Sequence, residues 1–144
     1  MIPDSHVIAL DEIRILDRSK RETITGLSNS AGVISAASIA LSIFALGLGG
    51  IISVFAVSIL MMSAIFGFRV MNINALQDTM IEPYDIQKFC STHNSYLSLN
   101  TIIDVRMKLL DEISNLSYNV HIIWMAQLAL MIMGTFLVVI GVMI

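Results

Sequence analysis

Two stretches of this chain, 31–48 and 51–68, hold no Asp, Glu, Lys or Arg, and the Gly-Leu-Gly-Gly sequence at 47–50 forms the junction between them. Each is about 18 residues long, the short end of what crosses a bilayer as a helix. A connection this short admits one arrangement, an antiparallel transmembrane hairpin with a tight glycine turn. A third apolar stretch, 121–144, is also free of charged residues. These three runs dictate an all-α integral membrane protein, because a lipid-exposed backbone must satisfy its own hydrogen bonds.

Composition agrees. Hydrophobic residues make up 56% of the 144 and charged residues 13%, against roughly half and a quarter in soluble domains. Mean hydropathy is +0.83. Disorder, a coiled-coil rod and a disulfide scaffold are excluded. Eight basic residues are scattered along a chain of net charge −3, so no basic surface offers itself to nucleic acid. The lone Cys90 has no intrachain disulfide partner. Ten methionines suit adaptable helix packing in lipid.

Four segments follow. Residues 1–30 are polar and predict an amphipathic helix over about 5–25, lying at the membrane surface or on the rest of the protein; the run 6–10 also fits a strand. Asp17 and Arg21 stand four apart in the favourable order. Gly26 to Gly32 reads as a break. Residues 31–68 are the hairpin. In the third segment, 69–119, the second helix is expected to continue to about 81 and to stop at Pro83. A short helix over about 83–97 comes next. Thr101 and Asp104 have capping-box spacing before an apolar run. Residues 120–144 form the C-terminal span. No cleavable signal peptide is expected, because a long polar segment precedes the first apolar run.

Basic residues orient the spans. Arg14, Arg18, Lys20 and Arg21 precede the first span, and Arg69, Lys88, Arg106 and Lys108 lie between the second and third. The hairpin turn and the C-terminus have none. The positive-inside rule then puts the N-terminus in the cytoplasm, or on the matrix side of an organelle, and the C-terminus opposite.

The last helix carries the longest pattern. Ile102, Arg106, Leu109, Ile113, Leu116, Val120, Ile123, Gln127, Leu130, Gly134, Leu137, Gly141 and Ile144 recur at threes and fours, a heptad seam running from water into lipid. Gly134 and Gly141 permit close approach, Leu130 and Leu137 are seam positions that alternate with them, and Gln127 is the amide well inside a span. This face fits either the chain's own hairpin or a second copy. The first span has its own small-residue stripe: Ala31, Ser35, Ser38, Ser42, Ala45 and Gly49. The second answers with Ser53, Ala56, Ser63 and Gly67, interrupted by Leu60. Close packing of the two helices explains these stripes; a serine-lined, weakly selective path is the functional alternative. Gln127 needs a hydrogen-bond partner, from neighbouring copies or from the hairpin serines.

No chemistry of an enzyme is visible. The glycine turn lacks the lysine of a P-loop, and no catalytic residue, metal site or cofactor is expected. Cys90 and His93 are two ligands where a metal wants three or four. Tyr118, His121 and Trp124 read as an interfacial aromatic belt. No charged group lies inside a span, which disfavours pumps and secondary transporters.

The order of a polar N-terminal helix, a tight hairpin and a soluble helix bearing His93, Tyr96 and Leu99 at intervals of three resembles the SLATT class of small bacterial membrane effectors, over about 14–110. The resemblance implies a membrane pore or membrane disruption in nucleotide-triggered defence. The third span is an addition to that two-span layout, and no functional residue carries over. The expected function is a non-enzymatic, self-assembling membrane protein, a weakly selective pore or membrane-disrupting effector. The alternative is a structural or assembly subunit of a larger membrane complex. Expected partners are lipid and either copies of itself or other membrane subunits.

Overall fold

The computed structural model describes the backbone of residues 5–78 and 95–144, and side chains over 11–75 and 103–144. Among these residues there are three helices: α1 (Ser5–Leu48), α2 (Gly50–Asp78) and α3 (Ser95–Met143). All three are long and apolar enough to cross a membrane. At 1.5 Å per residue, the 44 residues of α1 extend about 66 Å, roughly twice a bilayer's hydrocarbon core. Each span therefore continues as helix well beyond its apolar stretch.

The hairpin turn is tighter than the four residues read from sequence. α1 runs through Leu48, and the chain reverses at Gly49 and Gly50, with φ of +71° and +86°. Only glycine adopts such angles without a Cβ clash. Because α2 descends beside α1, residues far apart in sequence share levels. Gly141 of α3 lies beside Leu48 and Ile52, Gly134 beside Leu60, and Gln127 beside Ala31 and Ser35. Hence α3 runs parallel to α1 and antiparallel to α2, and each helix packs on the other two.

The buried positions share one period. In α1 they are Ile13, Ile24, Ser28, Ala31, Ser35, Ser38, Ser42 and Ala45; in α2, Ser53, Ala56, Leu60, Ser63, Gly67 and Val70, with Ala64 beside the stripe; in α3, Ile113, Ser117, Val120, Gln127, Gly134 and Val138. Steps of three and four, or of seven, are the signature of left-handed helix packing. Two apolar clusters result. Ile24, Ala31, Val70, Ile113 and Val120 form one, with Leu27, Ile73, Leu109, Leu116, Ile123 and Trp124 around it. Ala45, Ala56, Leu60 and Val138 form the other, nearer the turn.

Three local readings change. The expected break at 26–32 is absent, and α1 is continuous. Its polar half is thus an extension of the first span, not a separate helix on the surface. Tertiary packing overrides the weak propensities there: Ser28 is buried, and a Cβ at Gly32 would stand 3.6 Å from the Met71 sulfur. The strand alternative at 6–10 gives way to helix. The capping box at Thr101 does not start α3, which is already helical from Ser95; the stretch 95–100 holds no Pro or Gly to stop a helix. Pro83, Cys90, His93 and most of the expected 83–97 helix lie outside the described residues.

Candidate functional site

Between the two apolar clusters the bundle turns polar. Gln127, Ser38 and Ser63 have no exposed surface, and Ser35 has 2%. α1 supplies Ser35 and Ser38, α2 supplies Ser63 and Gly67, and α3 supplies Gln127. Three helices thus contribute to one layer, and their hydrogen bonds can be traced atom by atom.

The Gln127 amide nitrogen donates to the Ala31 carbonyl at 3.0 Å and to Ser35 Oγ at 3.1 Å. A carbonyl only accepts, so the amide nitrogen, not the oxygen, must face Ala31. Ser35 Oγ donates to the Ala31 carbonyl at 2.8 Å and also lies 3.4 Å from the Ala64 carbonyl. Ser63 Oγ donates its one proton to the Gln127 carbonyl at 3.0 Å. The 3.1 Å contact between Ser38 and Ser63 then has a fixed direction: Ser38 donates. Every hydroxyl and amide proton of the layer is used, while the amide oxygen Oε1 of Gln127 is buried with no partner among the described residues.

Gly67 makes the layer possible. A Cβ there would overlap Ser35 Oγ and the Gln127 amide nitrogen, so the missing side chain is the space the amide occupies. Leu60, which looked like an interruption of the stripe on α2, is a knob. It is fully buried, and a Cβ at Gly134 would lie 2.6 Å from its Cγ. The sequence held the signal in two halves, a large residue amid small ones on α2 and a glycine amid large ones on α3.

Three further seam residues face the chain, whereas Ile144 is exposed. Leu137 packs against the turn-side cluster, Leu130 is half-buried, and Gly141 makes ordinary contact with Leu48 and Ile52. Ser42 donates to the Ile39 carbonyl at 2.7 Å and Ser53 to the Gly49 carbonyl at 2.8 Å. The five serines singled out from sequence are therefore bonded inside the protomer, four of them to backbone carbonyls and Ser38 to Ser63. They line no open path through it among the described residues.

Toward the polar end of the bundle, Trp124 is half-buried on the larger cluster and stacks on His121 at a centroid distance of 6.1 Å. Its indole nitrogen is buried with no partner among the described residues, as is Arg106 Nε. Tyr118 is exposed. Arg21 reaches both Asp17 carboxylate oxygens, at 3.2 and 3.3 Å. Among the described residues no group of three His, Cys, Asp or Glu converges on a point.

No family model matches this chain, and neither does any curated protein or solved structure.

Proposed function

We propose that this chain is a non-enzymatic membrane protein that self-assembles in the bilayer and conducts weakly selectively when its helices part along the polar layer. The observation that carries the reading is the enclosed set of Ser35, Ser38, Ser63 and Gln127 between two apolar clusters. Alanine at these positions would pack helices in lipid equally closely. Hydroxyls and an amide nitrogen bonded to one another and to backbone carbonyls describe a closed state. Separated, the same groups would stand ready to hydrate and line a path, with no charged ring to select ions.

In this reading the copies meet through outward faces, since the Gln127 seam is occupied within the protomer. Ile132, Met133, Phe136 and Val139 of α3 are exposed and supply such a face. The helical extensions beyond the spans carry the trigger to the polar layer. The cytoplasmic placement of the basic ends follows the positive-inside rule, and the layout resembling SLATT-type effectors is in keeping with a membrane-directed activity.

A specific observation favours a second reading, a structural or assembly subunit of a larger membrane complex. The serine hydroxyls of the polar layer and the Gln127 amide nitrogen are bonded within the protomer, and large apolar side chains cover the outside of all three helices.

Two measurements separate these readings. The native mass of the particle extracted from its host, at an integer multiple of 15.8 kDa, supports self-assembly; a particle containing other chains supports the subunit. Purified protein in liposomes should release small anionic and cationic dyes alike. Intact liposomes at high protein load, under every trigger applied to the polar ends, overturn the conducting reading.

A further inference from the structure

The two ends of the spans are finished differently. At the polar end, Arg69 follows the uncharged stretch of α2 directly, with Asn72 and Asn74 next on the same helix. Trp124 packs on the cluster that contains Val70 there and stacks on His121. At the turn end nothing of the kind is present. Between Ile43 and Val57 the only polar side chain is Ser53, which is buried and donates to the Gly49 carbonyl. The surface around the turn is made by Phe44, Leu46, Leu48, Ile51, Val54 and Phe55, with Ile51 78% exposed. The part of α3 at that level, Phe136 to Met143, is equally apolar.

The distance between these ends is short. From Arg69 back to Ile51 is 18 residues, about 27 Å of helix, against about 30 Å of hydrocarbon in a bilayer. Gly141 lies beside Leu48 and Ile52 and stands 17 residues from Trp124, about 26 Å. A span shorter than the hydrocarbon is accommodated by snorkelling, by self-association or by thinning the bilayer. Arg69 can snorkel at its own end. At the turn no long polar side chain is present to do so. Yet the last carbonyls of α1 and the first N–H groups of α2 have no partner within their helices, and such groups are costly in hydrocarbon.

We infer that the turn end of the bundle is a phospholipid-binding surface that thins the bilayer from one side. Its apolar rim holds the acyl chains of the far leaflet, and its open backbone groups draw that leaflet's headgroups and water inward. Lipid is the occupant because the rim is continuous with the outward faces of both spans. It also carries no charge or exposed hydrogen-bonding side chain by which a solute would be recognised. The inference rests on the membrane-spanning part of the proposed function and not on conduction. It gives membrane disruption a physical means that needs no pore.

Purified full-length protein in oriented phosphatidylcholine multilayers tests this. In long-chain dierucoyl lipid, the phosphate-to-phosphate distance measured by X-ray diffraction should fall by several ångströms as protein is added. It should fall less in dioleoyl lipid and not at all in short-chain dimyristoyl lipid. Leu46 is exposed in the last turn of α1, where a cation suits the helix terminus. Leu46→Lys supplies the missing anchor and should abolish most of the fall. An unchanged distance in dierucoyl lipid overturns the inference, because the turn is then covered by a second copy or stands in water. A fall of equal size in all three lipids overturns it, because span length is then not the cause. An undiminished fall in Leu46→Lys overturns it as well, and the wild-type series decides where that variant fails to fold. Spanning is read separately. In a Cys90→Ser background, a fluorophore on Ser58→Cys, exposed near mid-span, should be quenched by lipid brominated at its chain ends. Without that quenching the membrane-spanning reading itself fails. With it, and with no thinning, the bundle spans but does not deform the leaflet.

Discussion

The cluster around Ile113 and the layer around Gln127 lie on one seam, two heptads apart, and both are sealed from solvent, yet they are built from opposite materials. The first is Ile24, Val70, Ile113 and Val120. The second is Ser35, Ser38, Ser63, Gly67 and Gln127. In water, burying branched aliphatic surface is the dominant drive to pack helices, at about 25 cal/mol per Å². In hydrocarbon that drive vanishes, because lipid tails are as apolar as leucine. Helices there gain from close approach and from interhelical hydrogen bonds. The change from Ile and Val to Ser, Gly and Gln along one heptad is the change of material that a passage from water into lipid would call for.

The sharpest way to break this comparison is to fill the closest approach. Gly67→Val puts a branched side chain where Ser35 Oγ and the Gln127 amide sit. It both overpacks the layer and costs the amide its partners, for a combined loss of about 4 kcal/mol. Unfolding in mixed detergent–lipid micelles, followed by circular dichroism, should show α3 separating from the hairpin. A Gly67→Val protein as stable as the wild type would mean that the layer is not closed as described.

Ile113→Ala tests the other region. The side chain is fully buried among Ile24, Val70 and Val120, and its truncation should cost about 3 kcal/mol by lost transfer and a residual cavity. Gln127→Leu is the matched change in the polar layer, and its effect should be smaller, about 1 kcal/mol. Interhelical bonds in lipid are individually modest, and leucine also removes the unpaired Oε1. If the reading of a conducting state holds, Gln127→Leu lowers dye release from liposomes while leaving the fold in place, and Gln127→Asn is milder. Equal losses of stability for Ile113→Ala and Gln127→Leu would erase the distinction between the two regions.

Much of this was legible beforehand for physical reasons. Uncharged runs of bilayer length leave no choice but helices, and two glycines force the reversal. The seam on α3 announced Gln127 and Gly134 as inward, because a three-four period has one meaning on a helix. What the pattern does not carry is the identity of the partner. A heptad face is equally suited to its own hairpin and to a second copy, and only the placement of Ala31 and Ser35 beside Gln127 separates these. Leu60 was misread as a defect because complementarity with Gly134 belongs to two helices together. The continuity of α1 through 26–32 was hidden because Gly, Ser and Asn there signal a turn locally, while the neighbours that hold them helical are distant in sequence.

That last point yields the smallest effect and the cleanest sign. Gly26 sits in the interior of α1, is exposed, and has no atom within 4 Å of where its Cβ would be. Gly26→Ala should therefore stabilise the protein by somewhat under about 1 kcal/mol, the difference in backbone entropy between the two residues in a helix. A Cβ here meets nothing, so packing cannot mask the result. If the polar half of α1 were instead a separate surface helix, hinged over 26–32, alanine would stiffen the hinge without that gain. A glycine there with positive φ would turn the sign to a loss. The unfolding midpoint of Gly26→Ala in micelles thus reports directly on whether the segment before the first span is a rigid continuation of it. Such rigidity is what any signal passing from the polar ends to the Gln127 layer requires.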